Sequence, residues 1–125
     1  MSAVEETRIP VEVLVVEDSE DQRHLLQKYF ELAGCHVTVA ESAELAILAY
    51  ADLELDLAVI DLILPGMNGW ELSDRIRADR PGCAVAITSV LDAVSYPVSD
   101  AKLPKPVSRA HVRNVLENCV PRWAA

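Results

Sequence analysis

Aromatic side chains are scarce in this chain: they make up 5% of 125 residues, although hydrophobic residues reach 51%. The core must therefore be aliphatic, which suits an α/β fold with buried parallel strands. Basic charge is also short, with 11 Lys and Arg against 20 Asp and Glu and a net charge of −9. Such a surface repels phosphate backbones and anionic lipid, so no nucleic-acid partner is expected. The three cysteines, Cys35, Cys83 and Cys119, contain no C-x-x-C pair. That argues against a disulfide framework or a zinc site and for free thiols in a reducing compartment. No apolar run is long enough to cross a bilayer, and "MSAVEETRIP" lacks the apolar region of a signal peptide. A cytoplasmic location with no membrane partner is the expectation. Neither G-x-G-x-x-G nor a Walker loop occurs, which weighs against nucleotide binding. Without repeats, low-complexity tracts or a linker, the length suits one domain over residues 11–120, between tails at 1–10 and 121–125.

What is present is a strict alternation. "VEVLVV" (11–16), "HVTVA" (36–40), "LAVID" (57–61) and "AVAIT" (84–88) are short apolar runs with strand character, and a fifth short strand falls within "KLPKP". Between them lie helical patterns. Ser19 caps the first, whose apolar residues include Leu25, Leu26, Tyr29 and Phe30 and which Gly34 stops. Ser42 caps "AELAILAYADL", a third helix runs from about Trp70 to Asp79 before Pro81-Gly82, and "SRAHVRNVLENCV" forms the last. Residues 89–101 carry only a weak helical signal, interrupted at Pro97. The pattern predicts a doubly wound five-stranded parallel sheet, of the flavodoxin type with order 2-1-3-4-5, whose fourth helix is short or irregular.

In such sheets ligands bind at the carboxyl ends of the strands. Five chemistry-bearing residues fall there: Glu17 and Asp18 after the first strand, Asp61 at the end of the third, Thr88 at the end of the fourth and Lys105 after the fifth. Three carboxylates at one edge repel one another unless a hard cation holds them. Mg²⁺ fits, since two direct carboxylates, a third through water and one backbone carbonyl, that of Ile63, would suffice. A carboxylate beside a lysine ammonium, a hydroxyl and an open cation position is an arrangement for phosphoryl transfer, with Asp61 as nucleophile and an acyl phosphate as product. Pro104 and Pro106 flank Lys105 and aim it, and the Lys105-Pro106 bond is expected to be cis. Each residue has an ordinary alternative taken singly: acids after a strand are often solvated, and Thr88 is a common strand residue. Their coincidence at one sheet edge is what carries the reading.

"VLVVEDSED", "AVIDLILPGMNGWEL", "AVAITS" and "KLPKPV" together resemble the receiver domain of bacterial two-component response regulators, over nearly the whole chain. The resemblance implies that Asp61 is the phospho-acceptor, that Asp18 and Asp61 are direct Mg²⁺ ligands with Glu17 acting through water and Ile63 supplying its carbonyl, and that Thr88 and Lys105 are the switch hydroxyl and the phosphate-binding lysine. It also implies a histidine kinase or histidine phosphotransfer protein as donor and a downstream protein as partner. Two departures stand out. The position three before the lysine, usually aromatic in receivers, is Lys102, and only the 16 residues 89 to 104 separate Thr88 from Lys105. A free-standing receiver is the leading expectation, since 125 residues starting at Met1 leave no room for an output domain. A scaffold that works independently of phosphorylation is the alternative that Lys102 motivates. A Mg²⁺-dependent phosphohydrolase is a third, disfavoured because Ile63 stands where such enzymes place a proton-transferring Asp. Trp70 is expected to pack or anchor rather than stack a ligand, and Trp123 docks on the domain or on a partner. His24, His36 and His111 lack any second ligand at metal spacing.

Overall fold

The computed structural model describes residues 9–89 and 99–123. The strands are β1 (Glu12–Val16), β2 (His36–Ala40), β3 (Leu57–Asp61), β4 (Ala84–Ser89) and β5 (Ala101–Pro104). The helices are α1 (Glu20–Leu32), α2 (Ala43–Tyr50), α3 (Gly69–Asp79) and α4 (Arg109–Cys119), followed by a 3₁₀ turn at Pro121–Trp123. All strand pairs are parallel and the order is β2-β1-β3-β4-β5, as the alternation predicts. Most of the weak helical segment, at residues 90–98, lies outside the described residues.

Alternate strand residues feed two separate cores. Leu14, Val16, Ala58, Ile60, Val85 and Ile87 pack toward α2 and α3, against Ala46, Tyr50, Leu72 and Ile76. Val13, Val15, Leu57, Val59, Ala86 and Leu103 pack toward α1 and α4, against Leu26, Phe30, Val112 and Leu116. Among the described residues each face holds one fully enclosed ring, Tyr50 on the first and Phe30 on the second. Burying such a side chain stabilises the fold by about 1.5–3 kcal/mol. All five residues of β3 are buried, because it is the middle strand and is covered on both faces.

Local chemistry sets the helix ends. Ser19, Ser42, Asn68 and Ser108 each accept a backbone N–H from the first turn of the helix that follows. α1 stops where Gly34 adopts φ +90°, with Gly34 N–H on the Glu31 carbonyl and Cys35 N–H on that of Phe30. α2 ends at Tyr50, three residues short of the predicted Leu53. The carbonyls at and beyond this end are capped from a distance: the Arg80 guanidinium donates to those of Tyr50, Ala51 and Leu53 at 3.0–3.3 Å. Tyr50 Oη donates to Asp79 at 2.6 Å, which ties the same helix end to α3.

The segment after α4 folds back onto the domain. Trp123 Nε1 donates to the Ala33 carbonyl at 2.8 Å, and the Arg113 guanidinium lies 5.2 Å from the Trp123 ring centroid. Arg122 donates to both Asp56 carboxylate oxygens and to the carbonyls of Ile9 and Pro10. Of the two placements the sequence leaves open for Trp123, the structure shows docking on the domain. Among the described residues no helix is long and apolar enough to cross a membrane.

Candidate functional site

β1 and β3 are neighbours, so their carboxyl ends deliver Glu17, Asp18 and Asp61 to one place. One carboxylate oxygen from each lies within 4.8 Å of the others. Burial separates their characters: Glu17 is 1% exposed and Asp61 4%, whereas Asp18 is open to solvent. Lys105, just beyond β5, reaches between the two buried acids, its Nζ 2.7 Å from Glu17 Oε1 and 2.9 Å from Asp61 Oδ2. The peptide bond after Lys105 is cis, as its two flanking prolines led us to expect.

The remaining carboxylate oxygens are also held. Ile63 N–H donates to Asp61 Oδ1 at 2.9 Å and Ser19 N–H to Glu17 Oε2 at 3.0 Å. Burial, reinforced by the charge of Asp61, pushes the Glu17 carboxyl up to about 7, although Lys105 and the Ser19 N–H act in the opposite sense. For Lys105 burial disfavours the ammonium, but its contacts with Glu17 and Asp61 more than offset this and raise its pKa. One lysine therefore does not neutralise three carboxylates. A divalent cation coordinated by oxygen suits this donor set, which contains no nitrogen or sulfur ligand.

Thr88 is the register partner of Asp61 on β4 and is fully buried. Its Oγ1 has no hydrogen-bond partner among the described residues. A buried hydroxyl left in that state costs about 1–3 kcal/mol, so the site holds a donor without an acceptor. The side chain of Ile63 is 55% exposed, and Lys102 is exposed on β5 opposite Ile87.

Two contributors to the site escape a reading of the sequence. Gly69 opens α3 with its N–H on the Leu62 carbonyl at 3.1 Å, and a Cβ there would lie 2.4 Å from the Asp61 carbonyl oxygen. The backbone behind Asp61 thus requires glycine; the only sequence signal is the Asn68-Gly69 pair, which also marks an ordinary turn. Arg23, on the first turns of α1, donates to the carbonyls of Glu17 and Asp18 at 3.0 and 3.3 Å. Nothing in its neighbours distinguishes it from a surface arginine. The loop beyond β3 is held from α2, where Glu44 accepts the Met67 N–H at 3.0 Å. Trp70, the second residue of α3, is 36% exposed.

A family model described as the response regulator receiver domain matches residues 13–117. Among curated proteins, the chain is 32% identical over 112 residues to the autoinducer 1 sensor kinase/phosphatase LuxN of Vibrio campbellii, covering 85% of this chain and 13% of that protein. It is 36% identical over 80 residues to a cyclic di-GMP phosphodiesterase of Thermotoga maritima, covering 64% of this chain and 21% of that protein. It is 32% identical over 85 residues to the probable transcriptional regulatory protein TcrX of Mycobacterium tuberculosis, covering 68% and 36%. The chain thus spans well under half of each of these relatives. Among solved structures, a CheY-like receiver domain protein from Methanospirillum hungatei superposes with a TM-score of 0.84 at 21% identity, over 93% of this chain and 98% of that one. The receiver domain of a Francisella response regulator does so with a TM-score of 0.79 at 27% identity, over 91% and 98%.

Proposed function

Because the chain belongs to the response regulator receiver domain family, we propose that Asp61 accepts a phosphoryl group from a histidine kinase or histidine phosphotransfer protein. Receivers are signalling modules of two-component systems that bind Mg²⁺ at an acidic pocket and meet such donors. In this chain Glu17, Asp18, Asp61 and the Ile63 carbonyl would hold the cation, which when bound offsets charge on the transferring group.

The residues of the chain supply the rest. With Oδ1 fixed by the Ile63 N–H and Oδ2 by Lys105, the Asp61 carboxylate is held in one orientation at the mouth of the site. An Asp61 oxygen attacks phosphorus, the phosphorus–nitrogen bond of the donor phosphohistidine breaks, and the electron pair leaves with the imidazole, which takes up a proton. The product is an acyl phosphate on Asp61. Lys105 then offsets the negative charge of the acyl phosphate, and Thr88 Oγ1 donates to a phosphoryl oxygen.

The observation that carries this reading is the buried Thr88 hydroxyl without an acceptor, on the strand beside Asp61. A phosphoryl oxygen is the acceptor it lacks. Such a hydrogen bond biases the end of β4 toward a second state, which is what a switch needs. Output then passes through a downstream protein partner or onward phosphotransfer. The exposed Lys102 at the position usually held by an aromatic means that signalling here proceeds without an inward-turning ring at that site.

Intact-mass measurement of the chain and of Asp61→Asn, each with Mg²⁺ and a small acyl-phosphate donor or a phosphorylated histidine kinase, tests the proposal. One phosphoryl adduct that requires Mg²⁺ and vanishes in the variant is expected. If neither donor gives an adduct, and partner binding is unchanged in Asp61→Asn, the phosphorylation-independent scaffold replaces this reading.

A further inference from the structure

We propose that Arg23 is a positioning residue for the cation site: it holds the two-residue acidic turn after β1 in the conformation that lets Glu17 and Asp18 converge on Asp61. This rests on the reading of the site as a Mg²⁺ site.

The argument begins with what the turn would do alone. Glu17 is anchored at its backbone by its N–H on the Ala40 carbonyl at 3.0 Å, but Asp18 has passed the end of β1 and is exposed. Three like charges within 4.8 Å of one another drive this turn outward. Lys105 and the Ser19 N–H restrain the Glu17 carboxylate, but neither reaches Asp18, which leaves the backbone of the turn as the place to restrain both acids. Arg23 does so, since one terminal nitrogen donates to both the Glu17 and the Asp18 carbonyls. Those carbonyls are the peptide oxygens of the two acids that β1 delivers, and a charged donor to them is stronger than a neutral one.

The anchor itself is firm. Arg23 sits on the first turns of α1, its own N–H bonded to the Ser19 carbonyl at 2.9 Å. Its side chain is half-buried and forms one wall of a shallow groove with Val39, Ala40 and Leu45. The stem borders this groove while the guanidinium donates to the acidic turn. Residues that orient metal ligands without touching the metal commonly change affinity by 10–100-fold when altered.

Arg23 is also a cation near a cation site, and the two roles predict opposite signs. If charge alone mattered, removing it would tighten Mg²⁺ binding, because a repulsive neighbour is lost. If positioning matters, removing it loosens binding, because the turn opens.

The test is Mg²⁺ titration by calorimetry of the full chain, of Arg23→Met, which keeps an unbranched stem without the donor, and of Arg23→Lys, which keeps a charged donor. Arg80→Ala serves as control, since Arg80 also caps backbone carbonyls but at α2 and α3, outside the acidic cluster. The expected result is binding at least tenfold weaker in Arg23→Met, substantially recovered in Arg23→Lys and unchanged in Arg80→Ala. Should Arg23→Met fail to fold, Arg23→Gln is read in its place against the same control. Unchanged or tighter binding in the Arg23 variants, or an equal loss in Arg80→Ala, overturns the positioning role. Absence of Mg²⁺ binding in the unaltered chain is a different outcome: it overturns the cation site and with it the role assigned to Arg23.

Discussion

Replacing Glu17 with Gln is expected to stabilise the cation-free protein at alkaline pH while weakening its response to Mg²⁺. Glu17 is 1% exposed and its carboxyl is pushed from the ordinary 4.5 up to about 7, chiefly by burial and then by Asp61. The folded protein therefore keeps a proton that the unfolded chain releases between these values, and stability falls as pH rises through that window. A difference of 7 − 4.5, about 2.5 units, at ~1.4 kcal/mol each, sets an upper limit of roughly 3–4 kcal/mol. Glutamine removes the buried charge and can still accept the Ser19 N–H, but it gives up the attraction of Lys105. A net gain of about 1–2 kcal/mol at pH 8 remains, which for a chain of this size raises Tm by roughly 3–10 °C. At pH 4.5 the advantage disappears, because Glu17 is then protonated in the folded state. Thermal unfolding followed by circular dichroism, with chelator at both pH values, measures this directly. With Mg²⁺ at 100 times its Kd, the unaltered chain should gain ~2.7 kcal/mol and the variant less. A variant less stable than the parent at pH 8, or a difference independent of pH, would refute the account of a strained buried carboxylate.

Further outcomes follow from the same geometry. Thr88→Val removes a buried hydroxyl without a partner and keeps the volume, so urea denaturation should show a gain of about 1 kcal/mol, while any Tm rise on adding an acyl-phosphate mimic should shrink. Gly69→Ala forces a Cβ into the Asp61 carbonyl and should cost about 2–3 kcal/mol or more by the same assay, with weakened Mg²⁺ binding. Arg122→Ala should cost about 1 kcal/mol. Asp56 resists the upward push of burial because Arg122 and the Glu12 N–H hold its carboxyl below the usual range, and the stability this contributes is lost as pH falls. Arg122→Ala should therefore lose less than the parent when acidified from pH 5 to pH 3.

Much of the fold could be anticipated because its determinants are local. Apolar runs such as "LAVID" mark buried strands, Ser19 and Ser42 cap helices with their own side chains, and Gly34 supplies a positive φ that ends α1. The convergence of Glu17, Asp18, Asp61 and Lys105 followed from the strand order, since the carboxyl ends of parallel strands share one edge. Contacts between segments distant in sequence were not legible. The capping of the carbonyls around the end of α2 comes from Arg80, 27 to 30 residues away, and the seat of Trp123 depends on Ala33, 90 residues away. Gly69 and Arg23 were missed because both act on backbone atoms, and a side-chain pattern carries no record of which carbonyls come within reach.

The clasp made by Arg122 also bears on how the chain is threaded. Because its guanidinium holds the carbonyls of Ile9 and Pro10, residues at the two ends of the described fold are neighbours in space, although 113 and 112 positions apart. The path through the five strands nearly closes into a ring. Joining its ends through a short linker would add little closure entropy, so the order in which the strands are synthesised is separable from the order in which they pack. A circularly permuted chain opened at the exposed Pro81-Gly82 turn would keep every strand pair of the sheet and bring Asp61 and Thr88 together from opposite ends of the new sequence.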